Sequence, residues 1–213
     1  MKILLLNLMI YLSIFSSIKY GQDLANTFKL KPIPIENFFK KPLTSGYSLS
    51  PNGKFMIYRS PVNSINNIFI KEIGKDGIKQ LTHSTNRDIM RFFWGNNEIV
   101  IYMQDTEGDE NYKLYTVNIN TLENRCLTDF ENSNTEISSF FNKDSTRIIV
   151  ESNKRDPECY DVYFLNIYSG ELQMIEQNPG NVRSWGIDNN GVVRIAYSDK
   201  ILYRKTNSTI LKN

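Results

Sequence analysis

The chain has 213 residues, enough for one domain with a sizeable core and too few for two large domains. Its 25 Lys+Arg nearly balance 23 Asp+Glu, a formal net charge of +2, which excludes a broad basic face for nucleic acid or anionic lipid. The 12 Tyr and 12 Phe, with abundant Ile, favour strands, because aromatic and β-branched side chains fit a half-buried pleated surface.

In chain order, Met1-Lys2 precedes an apolar run from Ile3 to Ile18 that closes at Lys19. This pattern reads as a secretory signal over residues 1–21, which places the remainder outside the cytoplasm, periplasmic or secreted. Ser16, Ser17 and Gly21 only approximate a cleavage site, so an uncleaved N-terminal membrane anchor stays as the alternative. Residues 22–44 read as a lead-in, with a short helical turn near Glu36 to Lys40.

From residue 45 a repeat organises the chain. Ser50-Pro51-Asn52-Gly53-Lys54 before Phe55-Met56-Ile57-Tyr58 is echoed by Trp94 to Glu98 before Ile99-Val100-Ile101-Tyr102. Asn142 to Thr146 before Arg147 to Val150, and Asp188 to Gly191 before Val192 to Ile195, are the third and fourth copies. The turns recur every 44 to 48 residues, close to the roughly 40 to 45 of a four-stranded propeller blade. Third strands are predicted at Asn67 to Ile73, Lys113 to Asn118 and Asp161 to Ile167, from rough apolar and polar alternation. The first two periods end in the same pair, Leu81-Thr82 and Leu127-Thr128, and the third ends around Leu172 to Ile175.

The predicted fold is therefore all-β, an incomplete β-propeller of four-stranded antiparallel blades behind a signal helix. Blades are expected at 45–88, 89–134, 135–180 and, incomplete, 181–213, about three and a half in all. In the last copy Ile201 to Arg204 reads as a third strand. Rings of this kind take about 4 to 8 blades, so the sequence reads as the front part of a larger propeller.

Few residues suggest chemistry. Cys126 and Cys159 could pair in an oxidising compartment or stay as buried thiols. His83, the single histidine, sits in a polar stretch and reads as a solvated loop residue. Asp105-Thr106-Glu107-Gly108-Asp109-Glu110-Asn111 superficially matches a calcium loop. Its glycine is fourth rather than sixth, and Thr116 stands where the bidentate Glu should be, so a hydrogen-bonded structural loop is the simpler reading. In Arg155-Asp156-Pro157, the equivalent connection of the next blade, Pro157 fixes φ and Arg155 offers a planar donor fork. No metal site and no cofactor is expected.

Three ordered stretches carry a family resemblance: Ile33 to Pro42 leading into Leu49 to Lys54; Asp105 to Asn111 followed by Leu114-Tyr115; and Asn153 to Pro157 followed by Asp161-Val162-Tyr163. Together they resemble the N-terminal propeller of prolyl oligopeptidase family serine peptidases, in particular the acylaminoacyl-peptidase and dipeptidyl-peptidase-like members. The resemblance implies a C-terminal α/β-hydrolase domain that supplies Ser, Asp and His, with the propeller covering the site as a lid that admits short peptides. Asp109, Glu110, Asn111, Arg155 and Asp156 are then candidates for substrate contact, with a structural loop role as the alternative. No catalytic residue transfers to this chain. It holds no Gly-x-Ser-x-Gly segment, and His83 lies in the wrong part, so the chain alone is expected not to hydrolyse peptides. The expected partners are that hydrolase domain and, through it, an oligopeptide. No nucleic acid is expected, and a membrane only if the N-terminal segment stays uncleaved. The alternative function is a non-enzymatic periplasmic propeller that mediates protein–protein interaction, similar to that of the Tol system.

Overall fold

The computed structural model describes residues 10–19, 33–140, 144–188 and 190–198 in full, and the backbone alone of 202–206 and 209–212. The chain divides into two compact units, Met1–Lys40 and Lys41–Asn213.

In the first unit residues 10–19 are helical (α1) and Glu36–Phe39 form a single turn (α2). Within α1 the hydroxyls of Ser13, Ser16 and Ser17 donate to carbonyls three or four residues back, at 2.9 Å each. Their polarity is thereby turned onto the helix's own backbone. Most of the predicted signal, residues 1–9 and 20–21, lies outside the described residues. Among the described residues no helix is long and apolar enough to cross a membrane.

The second unit is built from four four-stranded antiparallel sheets, each with its strands in chain order. Sheet 1 holds β1 (Ser45–Leu49), β2 (Phe55–Val62), β3 (Ile65–Glu72) and β4 (Ile78–Gln80). Sheet 2 holds β5 (Arg91–Trp94), β6 (Ile99–Gln104), β7 (Lys113–Asn118) and β8 (Asn124–Cys126). Sheet 3 holds β9 (Thr135–Phe140), β10 (Arg147–Asp156), β11 (Cys159–Asn166) and β12 (Leu172–Glu176). Sheet 4 holds β13 (Ser184–Ile187), β14 (Val193–Tyr197), β15 (Leu202–Thr206) and β16 (Thr209–Lys212). This is the predicted blade architecture, with one refinement. The fourth copy goes past its third strand to a fourth, β16, so four sheets are present where the sequence suggested three and a part. A four-residue strand with no Leu-Thr ending gave no signal in the sequence.

The first turn of each sheet shows why the repeat is legible. Ser50 Oγ, Asn96 Oδ1, Asp144 Oδ1 and Asp188 Oδ1 each accept a backbone N–H further round the turn, from Phe55, Ile99, Thr146 and Val192, at 2.9–3.0 Å. A short polar side chain at the head of the turn thus closes every first hairpin. The Leu-Thr ending is equally specific. Leu81 and Leu127 are buried, and their N–H groups pair with Ile68 and Leu114 carbonyls at 2.8 Å. Thr82 and Thr128 then turn Oγ1 back to accept the N–H groups of Ile68 and Leu114, both at 2.9 Å. A hydroxyl replaces the missing ladder partner where the outer strand leaves the sheet.

Alternation distributes each strand between two cores. On β6, Val100 and Tyr102 pack towards sheet 1 with Ile57, Ile68, Ile70 and Trp94. Ile99, Ile101 and Met103 pack towards sheet 3 with Ile148, Val150 and Leu165. A smaller cluster of Ile149, Val162 and Val193 joins sheets 3 and 4. Gly170, at φ +77°, sits at the seam of sheets 2 and 3, where an added Cβ would lie 3.1 Å from the Leu127 carbonyl oxygen. Glycine is needed there for conformation and for space. Cys126 and Cys159 are both free thiols.

Candidate functional site

Asp109, Glu110 and Asn111 lie on the connection between second and third strands of sheet 2, and Arg155 and Asp156 end the second strand of sheet 3, so all five sit at the same end of neighbouring blades. The connection after β6 begins at Asp105, which is 3% exposed. The Arg87 guanidinium meets it as a fork, Nε to Oδ1 at 2.9 Å and Nη2 to Oδ2 at 2.6 Å. A buried carboxylate is tolerated because a planar donor pair answers both oxygens.

Asp109 serves the loop itself. Its Oδ1 accepts the N–H groups of Thr106 and Asn111 at 3.2 and 3.1 Å, and its Oδ2 accepts the Asn111 amide at 3.4 Å. Although desolvation acts the other way, those N–H donors hold the Asp109 carboxyl below its usual range. Glu107, Gly108 and Glu110 have φ of 52°, 89° and 58°, so the chain turns sharply around it. Glu110 is exposed and Asn111 half-buried.

On sheet 3, Arg155 forks onto Asp161, Nε to Oδ2 at 2.6 Å and Nη2 to Oδ1 at 2.9 Å. Asp161 is fully buried and also accepts the Asn178 N–H at 2.7 Å and the Tyr163 hydroxyl at 3.1 Å. Burial opposes ionisation, yet the Arg155 and Asn178 donors lower its pKa. Asp156 accepts the Glu158 N–H at 3.1 Å and closes the hairpin. Asp109, Arg155 and Asp156 are thus engaged in loop structure, while Glu110 and the outer part of Asn111 face outward.

Sequence reasoning missed a recess at this same end. Met90, Arg91, Met103, Tyr112 and Glu136 line a cavity of about 150 Å³ beside the 105–112 loop. Two methionines, a tyrosine and two opposite charges form its walls, and it is large enough for one side chain or chain end. Across β9 and β10, Glu136 faces Glu151, whose Oε1 accepts the Ser138 hydroxyl at 2.7 Å. Burial, with the Glu136 carboxylate beside it, pushes the Glu151 pKa up. Arg91 begins the first strand of sheet 2 and Glu136 is the second residue of that of sheet 3, but neither belongs to a motif, so nothing in the sequence brings them together.

A larger cavity of about 340 Å³ lies at the first-turn end, lined by Trp94, Asn96, Asn97, Phe140, Asp144 and Arg147 among others. Its polar groups are occupied: Asn96 Nδ2 donates to the Tyr168 hydroxyl at 2.7 Å and Asn97 Oδ1 accepts the Asn52 N–H at 2.9 Å. Asp144 Oδ2 accepts from Arg147 at 2.6 Å. That cavity reads as a packing gap. His83 is exposed on the connection between sheets 1 and 2. Among the described residues no group of three or more His, Cys, Asp or Glu side chains is placed to hold a metal ion.

No protein-family model matches the chain. Dipeptidyl aminopeptidase BIII of Pseudoxanthomonas mexicana is 26% identical over 152 residues, 70% of this chain and 22% of that protein. Dipeptidyl peptidase family member 6 of Caenorhabditis elegans is 27% identical over 160 residues, 71% of this chain and 22% of that protein. Along this stretch the chain resembles the propeller region of prolyl oligopeptidase family peptidases. The β-propeller domain of the trilobed protease from Pyrococcus furiosus shares its fold, at TM-score 0.52 and 11% identity over 80% of this chain and 56% of that one. TolB of Acinetobacter baumannii does so at TM-score 0.50 and 11% identity, over 80% of this chain and 42% of that one. These structural likenesses carry the fold alone. The propeller region spans about a fifth of the length of the curated relatives it matches, 22% of each.

Proposed function

We propose that this propeller region serves an exported serine peptidase acting on oligopeptides, as the lid and size filter over an α/β-hydrolase domain. The observation that carries the reading is the match, along about 70% of the chain, to two proteins that are both dipeptidyl peptidases. The geometry supports it: both candidate loops and the Arg91–Glu136 recess share one end of adjacent blades, a surface suited to border a substrate chamber. In this reading Glu110, Asn111, Arg91 and Glu136 face the peptide. Asp109, Arg155 and Asp156 keep the loops in place.

The native polypeptide, captured with an antibody against residues 45–213 and treated with a fluorophosphonate, tests it. The expected result is one covalently labelled species, larger than 24.8 kDa, that releases dipeptides from a chromogenic substrate. An unlabelled species without peptidase activity would refute the reading and favour the protein-binding one.

A further inference from the structure

The recess beside the 105–112 loop is built between sheets 2 and 3, and its walls are held before anything enters it. Met90 donates its N–H to the Met103 carbonyl at 3.3 Å. The Tyr112 carbonyl accepts the Thr135 N–H at 2.9 Å, which ties the end of the loop to the start of β9. The other end of the loop is fixed by the Arg87 fork on Asp105. Gln104 Nε2 completes the frame, donating to the Arg87 carbonyl at 2.8 Å and to Ser84 Oγ at 2.7 Å. A site assembled in this way needs little ordering when it is filled.

Exposure separates floor from rim. Met103 is 5% exposed, and Tyr112 packs on the core shared by sheets 2 and 3, so both lie at depth. Met90, 51% exposed, forms an outer wall, and Arg91 and Glu136 are exposed at the mouth. The two mouth charges are opposite, so net charge favours neither an acidic nor a basic side chain. On the methionine and tyrosine floor a charged side chain would lose its hydration without a partner. Thioethers, in contrast, adapt to apolar shapes and make favourable contacts with aromatic rings. The volume, about 150 Å³, is that of a cavity that admits one benzene-sized ring.

The geometry points to a subsite for one apolar side chain of the bound peptide, aromatic or of leucine size, with Met90, Met103 and Tyr112 in contact with it. Arg91 and Glu136 stay at the mouth, beside the peptide main chain. The inference rests on the peptidase reading and deepens it: the propeller surface then selects by side chain as well as by size.

The test uses the native polypeptide, unchanged or carrying Met90→Glu or Met90→Leu, and alanine tetrapeptides in which a single Phe, Glu or Lys is moved through the positions. Met90 is exposed, so both variants should keep the wild-type circular dichroism. In wild type, Phe at one position is expected to raise kcat/KM about tenfold or more over the all-alanine peptide, with no gain from Glu or Lys there. Met90→Glu should bring that ratio close to unity, and Met90→Leu should restore most of it. A wild type indifferent to Phe, or one that gains more from Glu or Lys, would overturn the subsite and leave the peptidase reading standing. So would a Phe preference untouched by Met90→Glu, or a Met90→Leu variant as impaired as Met90→Glu. Cleavage of none of the peptides by wild type would instead refute the peptidase reading, and the subsite with it.

Discussion

Glu151 is half-buried on β10, opposite Glu136, with one hydroxyl donor, Ser138, at 2.7 Å. Burial first, then the neighbouring carboxylate, raise its pKa from the ordinary 4.5. The folded chain therefore holds this proton more tightly than the unfolded chain. Below the unfolded value both states are protonated and Glu151 contributes nothing. As pH rises through the raised value, stability falls, since the slope follows the difference in bound protons. Glu151→Gln removes the ionisation, so its melting temperature should match wild type at acid pH and exceed it at pH 7; a constant difference would contradict this origin. At this scale the sequence was a partial guide. It marked Asp109 and Arg155 as candidates for substrate contact or for loop structure; Asp109 is hydrogen-bonded within its loop and Arg155 to Asp161. It could not find Arg91, Glu136 or Glu151, because no short motif contains them and only strand pairing unites them.

Among elements, the Leu-Thr ending ties each outer strand to its neighbour. Thr128 is 1% exposed, and its Oγ1 is the acceptor for the Leu114 N–H. Thr128→Val keeps the shape and leaves that buried donor unmet, which should cost about 1–3 kcal/mol in urea unfolding. Thr128→Ser should retain most of the stability; equal losses in both variants would mean that packing, not the hydrogen bond, matters there. In sheet 3 a buried charge holds the corresponding connection: Asp161 accepts the Asn178 N–H at 2.7 Å while held by Arg155. Hairpin turns were legible because one polar side chain closes each of them locally. β16 was not, because its pairing with β15 rests on backbone hydrogen bonds that no side-chain pattern announces.

For the whole molecule, stability rests on cores shared between neighbouring sheets, and the two faces of sheets 2 and 3 serve different partners. The 44- to 48-residue spacing of second strands carries that architecture in the sequence. The proposed function places the peptide-facing surface at one end of the array, where two loops and a recess of about 150 Å³ gather on adjacent blades. In the proposed reading, a lid of this kind would discriminate by size before chemistry begins. The direct measurement is the rate at which the native polypeptide hydrolyses a graded series of peptides, from tripeptides to chains of several tens of residues, and an unfolded protein. A steep fall in kcat/KM beyond short peptides, with the protein uncleaved, is the expected result; rates independent of length would contradict the size-filter account.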